Sequence, residues 1–178
     1  MAPTGVAPGR AGMNIHRGLL YAVTLTAIGL LVGLLLEALD RQVNRAEAAS
    51  ARLVVNQLRA ALIVKGAELR LSSHPEHMLQ WRGKNPVSLL QKPPRAYQGR
   101  CGDSGPAAAK WCFSESGEVR YRTRSRIALA GQERPPETIV AWRVAMDYRD
   151  RNGNGTPDKQ DRLDGLKLAP VRQKTGGT

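Results

Sequence analysis

The sequence predicts an α+β protein in which a long N-terminal helix, transmembrane and then extracytoplasmic, packs on a small three- to four-stranded antiparallel sheet. Three observations lead to this fold class: an uncharged apolar run, apolar residues at helical spacing after it, and alternating strand patterns in the C-terminal half. At 178 residues the chain has room for one modest soluble domain. We expect a disordered cytoplasmic head (1–13), a transmembrane helix (14–39), an extracytoplasmic domain (40–170) and a flexible tail (171–178).

The uncharged apolar run extends over 19 residues, Gly18–Leu36. A helix needs about 20 such residues to cross the hydrocarbon core of a membrane. A cleavable signal peptide is the alternative, but its apolar core is usually about 7–15 residues long. The small-x-small sequence Ala46-Glu47-Ala48 lies ten residues beyond the run. We therefore expect an uncleaved anchor.

Charge and cysteine content indicate where the domain resides. The formal net charge of +12 favours acidic partners such as anionic lipid, nucleic acid or acidic protein surfaces. Basic residues on the two sides of the apolar run are nearly balanced, so they leave the orientation open. Cys101 and Cys112 are the only cysteines, and zinc ligands are missing nearby. We predict a disulfide rather than two unpaired thiols, because closing a loop stabilises a small exported domain.

The segment Asp40–Leu71 has no proline and no strand-like alternation, so we expect the helix to continue out of the membrane. It ends before Pro75, which cannot continue a helix. His74 and His77 lack a third metal ligand, and we interpret them as loop residues. The helix carries an apolar stripe, for which two interpretations are open. The stripe is the face that packs into the core of the domain, or its inner half also packs against partner helices. The stripe contains Val43, Ala46, Ala49, Leu53, Ala60, Ile63 and Val64.

The second half of the chain contains the strand signals. Asn85 is expected to cap a short helical turn that begins at Pro86. Trp111–Phe113 and Val119–Ile127 flank a Gly-containing loop and predict a hairpin. Ile139–Tyr148 alternates as a long strand with one buried face, and Leu163–Leu168 predicts a short last strand.

Four arginines share one face of the predicted second hairpin strand: Arg120, Arg122, Arg124 and Arg126. This face is either a site for an anionic partner, nucleic acid or lipid, or a solvated sheet face. No aromatic side chain interleaves with the arginines to stack a base. We treat the solvated face as the simpler interpretation.

The segment Asp150–Asp161 matches the calcium-loop pattern, with oxygen donors at alternate positions and glycine at the sixth. The candidate ligands are Asp150, Asn152, Asn154, Thr156, Asp158 and Asp161. Calcium takes six to eight hard oxygens, and alternate positions of a tight loop point inward. The last position is aspartate instead of glutamate, the loop follows a strand instead of a helix, and basic residues lie nearby. A plain Asn-Gly hairpin turn is therefore the alternative.

This layout resembles the type IV pilin and type II secretion pseudopilin superfamily. Six short motifs are similar to those of accessory proteins of mannose-sensitive haemagglutinin type pilus biogenesis. They are Asn85-Pro86, Leu89-Leu90, Pro93-Pro94, Tyr97-Gln98-Gly99, Trp111-Cys112-Phe113 and Gly117-Glu118-Val119-Arg120-Tyr121. The Asp150–Asp161 segment is similar to the calcium loops of major pseudopilins. Arg17-Gly18 imitates a prepilin cleavage point, but Val23 stands where prepilins carry glutamate, so we expect an uncleaved accessory component.

The resemblance implies a non-enzymatic accessory component of a type IV pilus or type II secretion-like assembly. It further implies a bacterial inner-membrane protein with a cytoplasmic N-terminus, a periplasmic domain and calcium as its cofactor. The expected partners are pilin-like or inner-membrane assembly proteins, bound through the long helix, and membrane lipid. Two alternatives stay open, a DNA-binding pilin-like protein of an uptake system and an anchored calcium-binding module unrelated to pili. We identify no catalytic triad, phosphate loop or reactive thiol pattern and expect no enzymatic activity.

Overall fold

The first element is a helix, α1, over Ala11–Leu71. The computed structural model describes residues 11–72 and 74–171, with side chains from Arg17 onward, so most of the predicted head and tail lies outside the described residues. Two short 3₁₀ helices follow α1, at Pro75–Trp81 and Pro86–Leu89. The side chain of Asn85 accepts the N–H of Val87 at 3.0 Å, which confirms the predicted cap.

The chain divides into two units, and the first ends at Val43. Its helix has a mean hydropathy of 2.4 over its most apolar window, none of which is buried. Two threonines of this segment, Thr24 and Thr26, donate their hydroxyls to the carbonyl oxygens of Leu20 and Ala22. The helix is long and apolar enough to cross a membrane, as predicted.

The second unit, Asn44–Thr178, contains the strands. A five-stranded sheet has the order β1-β2-β3-β6-β7, with β1 parallel to β2 and the other pairs antiparallel; β4 and β5 form a separate two-stranded sheet. The sheet therefore has more strands than the three or four that we predicted, and one of its strand pairs is parallel instead of antiparallel. The strands are β1 Tyr97–Arg100, β2 Trp111–Phe113, β3 Glu118–Arg122, β4 Ile127–Leu129, β5 Gln132–Arg134, β6 Ile139–Arg149 and β7 Arg162–Pro170.

The predicted hairpin forms between β2 and β3, but its second strand ends at Arg122 instead of Ile127. Beyond that point the chain turns into the β4–β5 hairpin, whose tip, Ala130-Gly131, has φ values of 54° and 77°. In the β2–β3 turn, Gly117 has a φ of 77°, and a Cβ there would lie 2.8 Å from the carbonyl oxygen of Gly83. Only glycine fits that position without strain.

The core lies between the domain part of α1 and one face of the larger sheet. Leu58 and Leu62 are fully buried, and the rings of Trp111 and Trp142 pack at a tilt of 34°, with 5.4 Å between their centroids. At Gly66 the helix meets β7 so closely that a Cβ would lie 2.9 Å from the backbone nitrogen of Leu166.

The predicted disulfide joins Cys101 and Cys112, with 5.0 Å between their Cα atoms. Cys112 belongs to β2 and Cys101 follows β1, so the bond ties together the two strands of the parallel pair. A disulfide is typical of an oxidising compartment.

Candidate functional site

The loop between β6 and β7 is folded around the carboxylate of Asp150. Its Oδ1 accepts the N–H of Gly153 at 2.7 Å, and its Oδ2 accepts the N–H of Gly155 at 2.8 Å. Gly155 has a φ of 70°, a conformation that suits glycine. The first and sixth positions of the predicted calcium loop are thus joined directly.

Two amides of the loop converge on one carboxylate. Nδ2 of Asn152 and Nδ2 of Asn154 both donate to Oδ2 of Asp158, each at 2.7 Å. The hydrogen bond from Asn152, followed by one from the N–H of Gln160, holds the pKa of the Asp158 carboxyl below its ordinary value. Asn154 Oδ1 accepts both the N–H and the hydroxyl of Thr156. Side chains of the predicted ligands therefore organise the loop among themselves.

Asp161, the last position of the pattern, closes the loop. Its Oδ1 accepts the N–H of Arg151 at 2.9 Å, and its Oδ2 accepts the N–H of Asp158 at 3.1 Å. The residue is only 9% exposed. A buried carboxylate needs such partners, because its desolvation is otherwise costly.

The loop has the donor chemistry of a calcium site, since three carboxylates and two amides supply hard oxygens. Each carboxylate oxygen that accepts one N–H keeps a further lone pair for a cation. In residues 17–72 and 74–171, however, no three His, Cys, Asp or Glu side chains are gathered as metal ligands. Asp150, Asp158 and Asp161 would have to draw together around the ion, and calcium stays a prediction.

The four arginines of the predicted anionic-partner face do not lie on one strand. Arg120 and Arg122 belong to β3, whereas Arg124 and Arg126 follow its end. The guanidinium of Arg120 contacts Oε2 of Glu118 at 2.9 Å, and Arg122 pairs with Glu137 at 3.1 Å. Two of the four charges are thus compensated locally.

Glu47 of α1 forms a connection that we did not predict. Its carboxylate accepts the hydroxyl of Tyr121 at 2.9 Å, the N–H of Arg124 at 2.8 Å and both the N–H and hydroxyl of Ser125. Burial opposes ionisation, but these hydrogen bonds outweigh it and lower the pKa of Glu47. Burial raises the pKa of the Tyr121 hydroxyl, and so do the hydrogen bond to Glu47 and the negative charge of that carboxylate. The contact fixes the chain where it leaves β3. Its only sequence signal is that Glu47 is the single acidic residue between Asp40 and Glu68.

The domain part of α1 is apolar on two faces. The buried face contains Ala48, Ala51, Val54, Val55, Leu58 and Leu62. The exposed face, which we call the outer row, contains Ala46, Ala49, Leu53, Ala60, Ile63, Val64, Ala67 and Leu71. At about 3.6 residues per turn, the outer row lies opposite the buried face.

This arrangement corrects the interpretation of the predicted apolar stripe. Its members, from Val43 to Val64, are exposed, so they are not the core face of the domain. Ile63 and Val64 are 65% and 67% exposed. The core instead uses the neighbouring positions around Leu58 and Leu62, because a helix with two apolar faces can bury only one against its own sheet.

Comparison of the chain with protein-family models, curated proteins and solved structures finds no match.

Proposed function

We propose that this protein is a non-enzymatic, membrane-anchored accessory component of a type IV pilus or type II secretion-like assembly in the bacterial inner membrane. Its N-terminus would face the cytoplasm and its domain the periplasm. Its domain helix would pack against helices of pilin-like or inner-membrane assembly proteins, with membrane lipid around the anchor.

The outer row is the observation that carries this proposal. Exposed apolar surface costs free energy in water, and a patch of it marks an interaction site. The outer row is interrupted once, by the exposed polar side chains of Asn56 and Gln57. Here the patch runs along a helix whose other side is already occupied by its own core.

The composition of the outer row favours another helix as its partner. Alanines at 46, 49, 60 and 67 allow two helix backbones to approach closely. Leu53, Ile63 and Val64 stand between them and provide side chains that interdigitate. The identity of the assembly rests on the resemblance of the Asn85–Tyr121 motifs to pilus accessory proteins.

Photo-crosslinking in the native membrane tests the proposal. A photoreactive residue at Ile63 of the full chain, expressed near its native level, should capture pilin-like or assembly-platform proteins. The matched control places the same residue at Glu133, an exposed position of β5. Val64→Glu should abolish capture at Ile63, because a charge in a helix interface is desolvated. Capture of none of these proteins at Ile63 would contradict the proposal.

An anchored calcium-binding module is the second candidate, and the link from Asp150 to Gly155 favours it. The full chain in detergent should then bind calcium with a dissociation constant of about 10⁻⁴–10⁻³ M. Asp150→Asn should weaken binding while Asp164→Asn, just outside the loop, leaves it unchanged. A DNA-binding role has less support, because Arg120 and Arg122 are paired with Glu118 and Glu137.

A further inference from the structure

A cavity of about 460 Å³ lies beside the loop, between the end of α1 and the start of β7. Four basic and two acidic side chains line it: Arg70, Arg151, Lys159 and Arg162, with Glu76 and Asp161. Among these wall residues positive charges outnumber negative ones by two, and the carboxylate of Asp164, outside the wall, compensates one of them, Arg162. Arg151, Lys159 and Arg162 come from the loop and the start of β7, and the fold brings Arg70 of the helix to them from a distant part of the sequence.

The acidic charge of Asp161 is already engaged, since both of its oxygens accept backbone N–H groups. Two of the basic side chains are held in position. Arg162 contacts the carboxylate of Asp164 at 3.1 Å, and Arg70 donates to the backbone oxygen of the same residue at 3.2 Å. Among the ion pairs of the described residues, none involves Arg151 or Lys159.

We propose that this cavity binds a phosphate group, carried either by a small soluble phosphate or by a lipid headgroup. A phosphate monoester has a charge of about −1.5 to −2 at neutral pH. Arg151 and Lys159, which take part in no ion pair of the described residues, can supply two positive charges to it. Guanidinium groups offer paired N–H donors that fit its oxygens, and Lys159 adds a point charge. A single carboxylate would leave one charge uncompensated. This proposal is independent of the pilus assignment.

The test uses the full chain in detergent and two probes, inorganic phosphate and a short-chain phosphatidate, each titrated by calorimetry. Arg151→Gln with Lys159→Gln should weaken binding at least about tenfold, the loss expected for two charge-assisted contacts. The matched control, Lys92→Gln with Arg126→Gln, removes the same charges from exposed positions outside the cavity wall and should change affinity less than about twofold.

The wild-type protein provides a reading that does not depend on variant folding. The amide resonances of Arg151 and Lys159 should shift on titration, while those of Lys92 and Arg126 stay in place. Binding of both probes assigns the site to phosphate in general, and binding of phosphatidate alone assigns it to lipid. Binding of neither probe, or an equal loss in the control variant, overturns the proposal.

Discussion

The hydroxyl of Tyr121 in β3 donates a 2.9 Å hydrogen bond to the carboxylate of Glu47 in α1. Glu47 also accepts the backbone N–H groups of Arg124 and Ser125, just where β3 has ended. One carboxylate thus fastens the domain helix to the point at which the chain turns towards β4.

Glu47→Gln should destabilise the domain by about 1–3 kcal/mol, because an amide has one acceptor oxygen and cannot satisfy all of these donors. Thermal unfolding of the full chain in detergent measures the effect. Tyr121→Phe removes one donor only and should cost less. Equal losses in the two variants would contradict the assignment of Glu47 as the centre of this contact.

The pKa of the same carboxylate predicts a dependence on pH. Because the pKa of Glu47 is lower in the folded protein than its ordinary value of 4.5, its contribution is fully present above that value. The contribution is lost as the pH falls through the folded pKa. The difference in melting temperature between wild type and Glu47→Gln should therefore shrink from about pH 7 to about pH 3. A difference that stays constant over this range would refute the prediction.

Gly66→Ala should destabilise the domain, although alanine is intrinsically favoured over glycine in a helix by about 1 kcal/mol. The new Cβ would lie 2.9 Å from the backbone nitrogen of Leu166, and neither backbone can move without disturbing the core. Gly102→Ala is the control, since its Cβ would meet no atom within 4 Å. If Gly66→Ala raises the melting temperature, the helix and β7 are further apart than described.

Reducing the Cys101–Cys112 bond should cost the folded state about 2–3 kcal/mol, because the bond restricts the unfolded chain. Melting with and without a reductant checks this, and a variant with both cysteines changed to serine should melt at one temperature under both conditions. If the reductant leaves the melting temperature of the wild type unchanged, β1 is held against β2 without the covalent bond.

Asp161→Ala should loosen the loop, because the N–H groups of Arg151 and Asp158 lose a buried acceptor at a cost of about 1–3 kcal/mol. Hydrogen exchange of these two amides should accelerate. Asp164→Ala, which removes a carboxylate just outside the loop, should leave both rates near those of wild type. Unchanged exchange in Asp161→Ala would argue that the loop is held by other groups.

Strong local signals predicted part of the fold. Three features depend only on neighbouring residues, so the sequence reveals them directly. They are the short helix that begins after Asn85, the glycine turn between β2 and β3 and the alternation of β6. Strand β1 alternates between half-buried and exposed residues, but it is only four residues long and includes a glycine, so the pattern is too short to mark a strand. Its place is set by tertiary contacts.

The functional surfaces were harder to predict for the same reason. A helical apolar stripe looks alike whether it faces the core or a partner, and only packing decides that Leu58 is buried and Ile63 exposed. The cavity wall combines Arg70 with Arg162, and a sequence pattern does not bring such distant positions together. The Asp150–Asp161 pattern was recognisable because its candidate donors lie within one short segment of the chain.

Strand β7 forms one outer margin of the five-stranded sheet. An open strand margin can template addition of a strand from a neighbouring molecule, a route to aggregation. Here β7 carries the exposed charged residues Arg162 and Lys167, and Pro170 lacks the N–H that would extend such a pairing. Copies of the domain are thereby discouraged from sheet-to-sheet polymerisation, so that growth of amyloid-like ribbons is disfavoured even at high local concentration.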